Sequence, residues 1–240
     1  MDNHGRVRSV LNWTAGAVGI AAGAYAGYAG LTWLRYGQPA QASPADADPL
    51  LDRFMPVYDV VERHRIEVAA PPEITFAAAC EQDLMATPVA RSIFKAREVV
   101  LGSEPDSASH PRGLLAMTKS IGWGVLAEVP GREIVMGAVT QPWFANVVFR
   151  ALPPDAFLAF EEPDYVKIVW TLRADPAGVN GSMFRTETRV MTTDAAARAK
   201  FRRYWSFFSP GIILIRRASL GPLKREAERR ARGGQLAEAR

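Results

Sequence analysis

One histidine stands where it could do chemistry. His64 lies in an alternating stretch in which Glu62, Ile66 and Val68 share its face, while Arg63, Arg65 and Glu67 occupy the other. An imidazole beside a carboxylate suits a general base or a donor that orients a ligand; a core histidine satisfied by a backbone partner is the commoner outcome. His4 and His110 fall in a terminal and a loop segment, so the three histidines do not make a metal site. Cys80 is the only cysteine, which rules out an intrachain disulfide and a Cys-rich metal site. No G-x-S-x-G elbow, phosphate loop, dinucleotide glycine pattern or His-x-x-x-His pair occurs, so no cofactor is implied.

The residue types favour binding over side-chain catalysis. Trp123, Trp170, Phe184, Tyr204, Trp205 and Phe208 supply an apolar wall, and Thr186 and Thr188 place two hydroxyls on an otherwise apolar face. A pocket of this kind takes affinity from apolar area and orientation from a few polar groups. Plain core packing stands beside that reading for each aromatic.

The elements that must position these residues follow from periodicity. The spacing predicts a strand over 57–69, a helix opening at Pro71-Pro72-Glu73 and a second opening at Thr87-Pro88. Pro130-Gly131 separates a hairpin over 123–128 and 132–139, and a strand is expected over 144–150. In 165–173 and 182–192, Val166, Ile168, Trp170 and Leu172 share a face with Phe184, Thr186, Thr188 and Val190. Lys167, Thr171, Arg173, Arg185, Glu187 and Arg189 take the other face, which reads as charged and wet. A helix capped by Thr193 or Asp194 then carries Ala197, Phe201, Tyr204, Trp205, Phe208, Ile212, Ile215 and Ser219 at helical spacing, with a kink or brief break expected at Pro210-Gly211.

Ahead of this domain, no charged residue occurs from Val10 to Leu34, about 25 positions or roughly 37 Å of helix, with Trp13 and Trp33 near the ends. The pattern predicts a cytoplasmic tail over 1–9 and a single-pass transmembrane helix over 10–36, with the domain on the non-cytoplasmic side. Cleavage after Ala42 and a buried core helix are the competing readings. Ala15, Gly19, Gly23 and Gly27 form a small-residue stripe that suits a homodimer through this helix, or simply reflects abundant small residues. The Pro, Ala, Ser and Asp of 37–55 read as a flexible linker, 56–232 as the folded domain and 233–240 as a disordered tail. The basic last helix suits contact with anionic lipid headgroups or a solvated face, and no nucleic-acid motif accompanies its charge.

A strand, two short helices, antiparallel strands and one long final helix make an α+β chain of the helix-grip order. Arg63-His64-Arg65-Ile66-Glu67-Val68-Ala69-Ala70-Pro71-Pro72-Glu73, and Thr186 to Val190 leading into Phe201-Arg202-Arg203-Tyr204-Trp205, resemble the START-like superfamily, also called SRPBCC or birch-pollen-allergen-like proteins. That resemblance implies a cavity between the sheet and the final helix. It would be used, as across that superfamily, for lipids, sterols, quinones, polyketides or plant hormones; the reading for this chain is binding or transfer of a lipid, quinone or isoprenoid, with a cyclase or hydrolase activity as the alternative.

Overall fold

The computed structural model describes residues 19–20, 22–40, 42–103 and 111–238. Its helices are α1 (helical at 19–20 and 22–35), α2 (Pro49–Asp52), α3 (Pro72–Glu81), α4 (Pro88–Leu101), α5 (Leu114–Ser120), α6 (Pro154–Leu158) and α7 (Ala195–Glu238). Its strands are β1 (Val60–Val68), β2 (Gly124–Val129), β3 (Glu133–Thr140), β4 (Phe149–Arg150), β5 (Val166–Ala177) and β6 (Gly181–Thr192). They form a six-stranded antiparallel sheet in the order β1-β6-β5-β3-β2, with β4 beside β3. With α7 lying across one face, the architecture is α+β of the helix-grip type.

Local chemistry sets the boundaries. Thr87 accepts a hydrogen bond from the Ala90 amide at 3.3 Å and opens α4, which Gly102 closes at φ 65°. Asp194 accepts from the Ala197 amide at 2.7 Å and so starts α7. Pro210 and Pro222 lie inside α7, yet it runs unbroken for 44 residues, so the break expected at Pro210-Gly211 does not occur. Gly211 earns its place differently: a Cβ there would stand 2.9 Å from Ile93, so α4 packs directly onto α7 at this point. The strand expected over 144–150 shrinks to Phe149–Arg150.

Two apolar clusters pin α7 to the sheet. Near its start, Phe201 and Trp205 pack with Tyr36, Val60, Val166 and Val190. Near its end, Leu223, Ala227 and Ala231 pack with Trp170, Phe184, Ile134 and Met136, and with Phe76 of α3.

The opposite face is not open to water, which corrects the charged and wet face expected there. Leu51, Phe54 and Met55 cover Leu126, Val135, Val139 and Val169, with Phe157 of α6 sealing the edge. The segment read as a flexible linker is therefore a strap. Cross-strand register sets Arg65 opposite Arg185 and Arg185 opposite Arg173, a row of like charges that would be destabilising if left bare. Asp175 meets Arg132 and Arg173 at 2.8 Å each. The strap answers with main-chain carbonyls: Ala47 accepts from Arg173 at 3.2 Å, Ala45 accepts from Arg185 and Ala40 accepts from Arg63 at 3.2 Å. Its composition hid this because the holding groups are backbone oxygens.

The expected transmembrane helix and membrane localisation are also corrected: among the described residues no helix is long and apolar enough to cross a membrane. From Gly19 to Leu34 only Ile20, Leu31 and Leu34 are large aliphatics. The aromatic groups find protein partners in place of headgroups. Tyr25 donates to the Phe207 carbonyl, the Tyr28 and Ser209 hydroxyls lie 3.2 Å apart, and the Arg202 guanidinium covers the Trp33 ring at 4.3 Å. Residues 10–18 and Ala21 of the apolar run, Trp13 and Ala15 among them, lie outside the described residues. Gly19, Gly23 and Gly27 have nothing within 4 Å of a would-be Cβ, so α1 docks without using that stripe.

Under the strap, burial and the facing Asp48 carboxylate push the Glu133 carboxyl from 4.5 up to about 8. A carboxyl that holds its proton more tightly folded than unfolded subtracts stability as pH rises through that window. Glu133→Gln should melt with the wild type near pH 4 and above it at pH 8. A variant less stable at pH 8 would mean that the Arg173 partner, 3.9 Å away, outweighs the burial.

Candidate functional site

Between the two clusters that pin α7, the gripped face of the sheet turns polar. Register sets Glu62 opposite Thr188 and His64 opposite Thr186, with Thr188 also opposite Trp170 on the next strand. Side chains alternate along each strand, so these five project toward α7.

The helix meets them with a cation. Arg216 Nη1 donates to Thr186 Oγ1 at 3.0 Å, and the guanidinium carbon stands 5.9 Å from the Trp170 ring centre. That is its only hydrogen bond among the described residues, and no carboxylate lies within ion-pairing distance of it. Burial holds the guanidinium down to about 10, with the charge of Glu62 opposing, so it stays charged at neutral pH. Two further polar atoms in this layer, His64 Nε2 and Thr188 Oγ1, are buried without a hydrogen-bond partner. Buried polar groups are ordinarily paired, so three underused groups in one place is unusual.

The acid–base pair is poorly disposed for proton transfer. His64 Nε2 and Glu62 Oε2 are 3.8 Å apart, beyond hydrogen-bond reach. Burial, reinforced by the charges of Arg216 and Arg217, lowers His64 to about 4, and burial raises the Glu62 carboxyl. The imidazole is therefore neutral at neutral pH.

The structure brings together some of the expected wall and separates the rest. Thr186, Thr188 and Trp170 lie under Arg216 with His64 and Glu62, and Trp123 meets Trp170 edge-on at 6.2 Å. Phe184 shares the cluster with α3 and Trp170, against which Trp123 also packs. Trp205 stacks on Phe201 at 5.9 Å and Tyr204 on Phe208 at 4.9 Å, at the other end of the grip. Arg216 was missed because it reads as one more cation of a basic helix. Its phase carried the signal: it lies four residues after Ile212, four before Leu220 and seven before Leu223, on the apolar stripe itself. Other cations of α7 do have partners, among them Lys200 with Asp164 at 2.7 Å and Arg230 with Glu81 at 2.8 Å.

A concavity of about 330 Å³ lies on the opposite face beneath the strap, bounded by Arg63, Arg173, Arg185 and Glu187. Its arginines are already engaged, Arg63 with Glu187 at 3.0 Å and the others with Asp175 and the strap.

No family model and no curated protein matches the chain. Among solved structures it is similar to the Mll3558 protein of Rhizobium loti, at 11% identity over 65% of this chain and 95% of that one, with a TM-score of 0.28. It is similar to an aromatase/cyclase from Streptomyces sp. R1128 at 13% identity, over 71% and 94% of the two chains, with a TM-score of 0.24. For norcoclaurine synthase from Thalictrum flavum the values are 10%, 72%, 97% and 0.25. The fold assignment rests on strand order and the final helix, not on these likenesses.

An unpaired interior charge costs stability, and replacing buried charges by apolar groups of similar volume is often neutral or stabilising. Arg216→Met should therefore unfold in urea at or above the wild-type midpoint. A loss of more than about 1 kcal/mol would mean that a carboxylate, Glu62 first, closes on the guanidinium in solution.

Proposed function

We propose that the chain binds or transfers a hydrophobic small molecule, of the lipid, quinone or isoprenoid class, between the sheet and α7. The observation that carries this reading is the contrast along the grip. At both ends α7 and the sheet interlock, with Phe201, Phe184 and Leu223 each 2% exposed. Midway, Ile66, Ile168 and Thr188 on the sheet and Ile212, Ile215 and Arg216 on the helix are only half-buried, with Ile66 packing toward one end cluster and Ile168 and Ile212 toward the other.

A close-packed interior leaves no such surface on facing elements. Spare surface on both sides of one gap is what a guest would cover. A guest there gains apolar area from the isoleucines, and the polar atoms of the layer fix its orientation. START-like proteins, which the sequence resembles, hold ligands in the corresponding place.

The cyclase or hydrolase alternative would rely on His64 with Glu62. A base held to about 4 has little drive to take a proton at neutral pH, and the pair is not hydrogen-bonded. Binding needs neither condition.

The full chain, purified without detergent, should show an apolar adduct by native mass spectrometry that organic extraction removes. The extracted protein should then take up N-phenyl-1-naphthylamine at one saturable site. A bare mass together with no uptake of the probe contradicts the reading.

A further inference from the structure

The interior layer presents more hydrogen-bond donors than the protein accepts. A guanidinium carries five N–H donors in a planar fork, and Arg216 spends one of them on Thr186 Oγ1. Thr188 Oγ1 adds a hydroxyl with no partner, one residue pair along the same strand face. The nearest acid, Glu62, does not come within ion-pairing distance of the guanidinium.

What would satisfy this layer is an acceptor-rich group brought in from outside. A carboxylate offers two oxygens with about four lone-pair sites and takes an arginine fork two bonds at a time. It also cancels the buried positive charge, which an alcohol or ketone cannot do. We propose that the guest is an amphipathic acid, with its apolar body among the isoleucines and its carboxylate on Arg216, steadied by Thr188. This rests on the reading of the grip as a ligand site and names the chemical class that the site selects.

The geometry gives each residue a distinct part. Thr186 orients the guanidinium through its 3.0 Å bond, so it acts as a positioning residue. Trp170, on the row next to Thr188, supplies a face beneath the guanidinium and leaves the fork edge free for the ligand. His64, neutral in this setting, adds no second positive charge, so the preference for an anion comes from Arg216.

The test compares guests of one chain length. Dodecanoate, dodecan-1-ol and dodecylammonium compete with N-phenyl-1-naphthylamine on the extracted full chain at pH 7, each below its micelle concentration. Charge-assisted bonds to a buried partner predict dodecanoate tighter than dodecan-1-ol by at least about tenfold, with dodecylammonium weakest. Arg216→Met should erase the acid-over-alcohol preference, dodecanoate losing at least about tenfold relative to dodecan-1-ol. Thr186→Val keeps the charge and removes only its anchor, so it should reduce the preference several-fold without abolishing it.

Equal affinity for acid and alcohol in the wild type, or a preference that survives Arg216→Met, overturns the inference and leaves the hydrophobic site standing. Failure of the probe and all three guests to bind removes the site itself.

Discussion

Taking a guanidinium out of water costs several kcal/mol unless its donors and its charge are answered. The centre of this molecule is arranged around one that is half-buried and makes one side-chain hydrogen bond among the described residues, to the Thr186 hydroxyl. Everything that fixes the phase of α7 fixes where that charge goes. The cap at Asp194 sets the first turn, and Phe201 and Trp205 lock one end with Leu223 and Ala227 locking the other. Arg216 lies between these anchors on the same stripe, so its Cβ is held toward the sheet. The cost of its burial is carried by the packing at the two ends.

The sheet contributes the other half of the constraint. Because its side chains alternate, the register that sends Thr186, Thr188 and Trp170 toward α7 must send Arg173, Arg185, Glu187 and Arg189 the other way. That second face then needs its own cover, which the strap supplies by combining an apolar clasp at Leu51, Phe54 and Met55 with carbonyls for the arginines. Arg189 shows how complete the cover is: it is 2% exposed, and it donates to Glu187, Asp52 and the Met55 carbonyl. Both faces keep buried polar atoms without a partner, Glu133 Oε1, Asp175 Oδ2 and Arg185 Nε under the strap and His64 Nε2 and Thr188 Oγ1 in the grip, but in the grip they stand beside half-buried isoleucines on facing elements. That asymmetry is the physical reason to look for a guest on the helix side.

Much of this was readable from residue order. The alternation over 165–173 and 182–192 gave the inward row, and the register sets Ile168 opposite Val190 and Trp170 opposite Thr188 on it. Pro72 and Thr87 marked the helix starts because a fixed φ and a capping hydroxyl are local causes with local effects. What escaped was non-local. The strap's hold on the sheet is made by backbone oxygens, which no composition reveals. The apolar run before it is dominated by Gly and Ala, and its tyrosines hydrogen-bond to α7, a contact separated by some 180 residues. Arg216 was hidden by its neighbours' charge, although its phase with Ile212 and Leu220 placed it inward. A cation on an apolar stripe is a stronger signal than a cation in a basic helix, and it can be read without coordinates.

The central claim is that the space between α7 and the polar row of the sheet is where a guest resides, with its head on Arg216. A crystal structure of the full chain with 11-bromoundecanoic acid tests this most directly, because bromine marks the tail by anomalous scattering. The account predicts a bromine peak between the sheet and α7 near Ile168 and Ile212, with the carboxylate within hydrogen-bond distance of the Arg216 guanidinium. A peak beneath the strap or on the outer surface would contradict it.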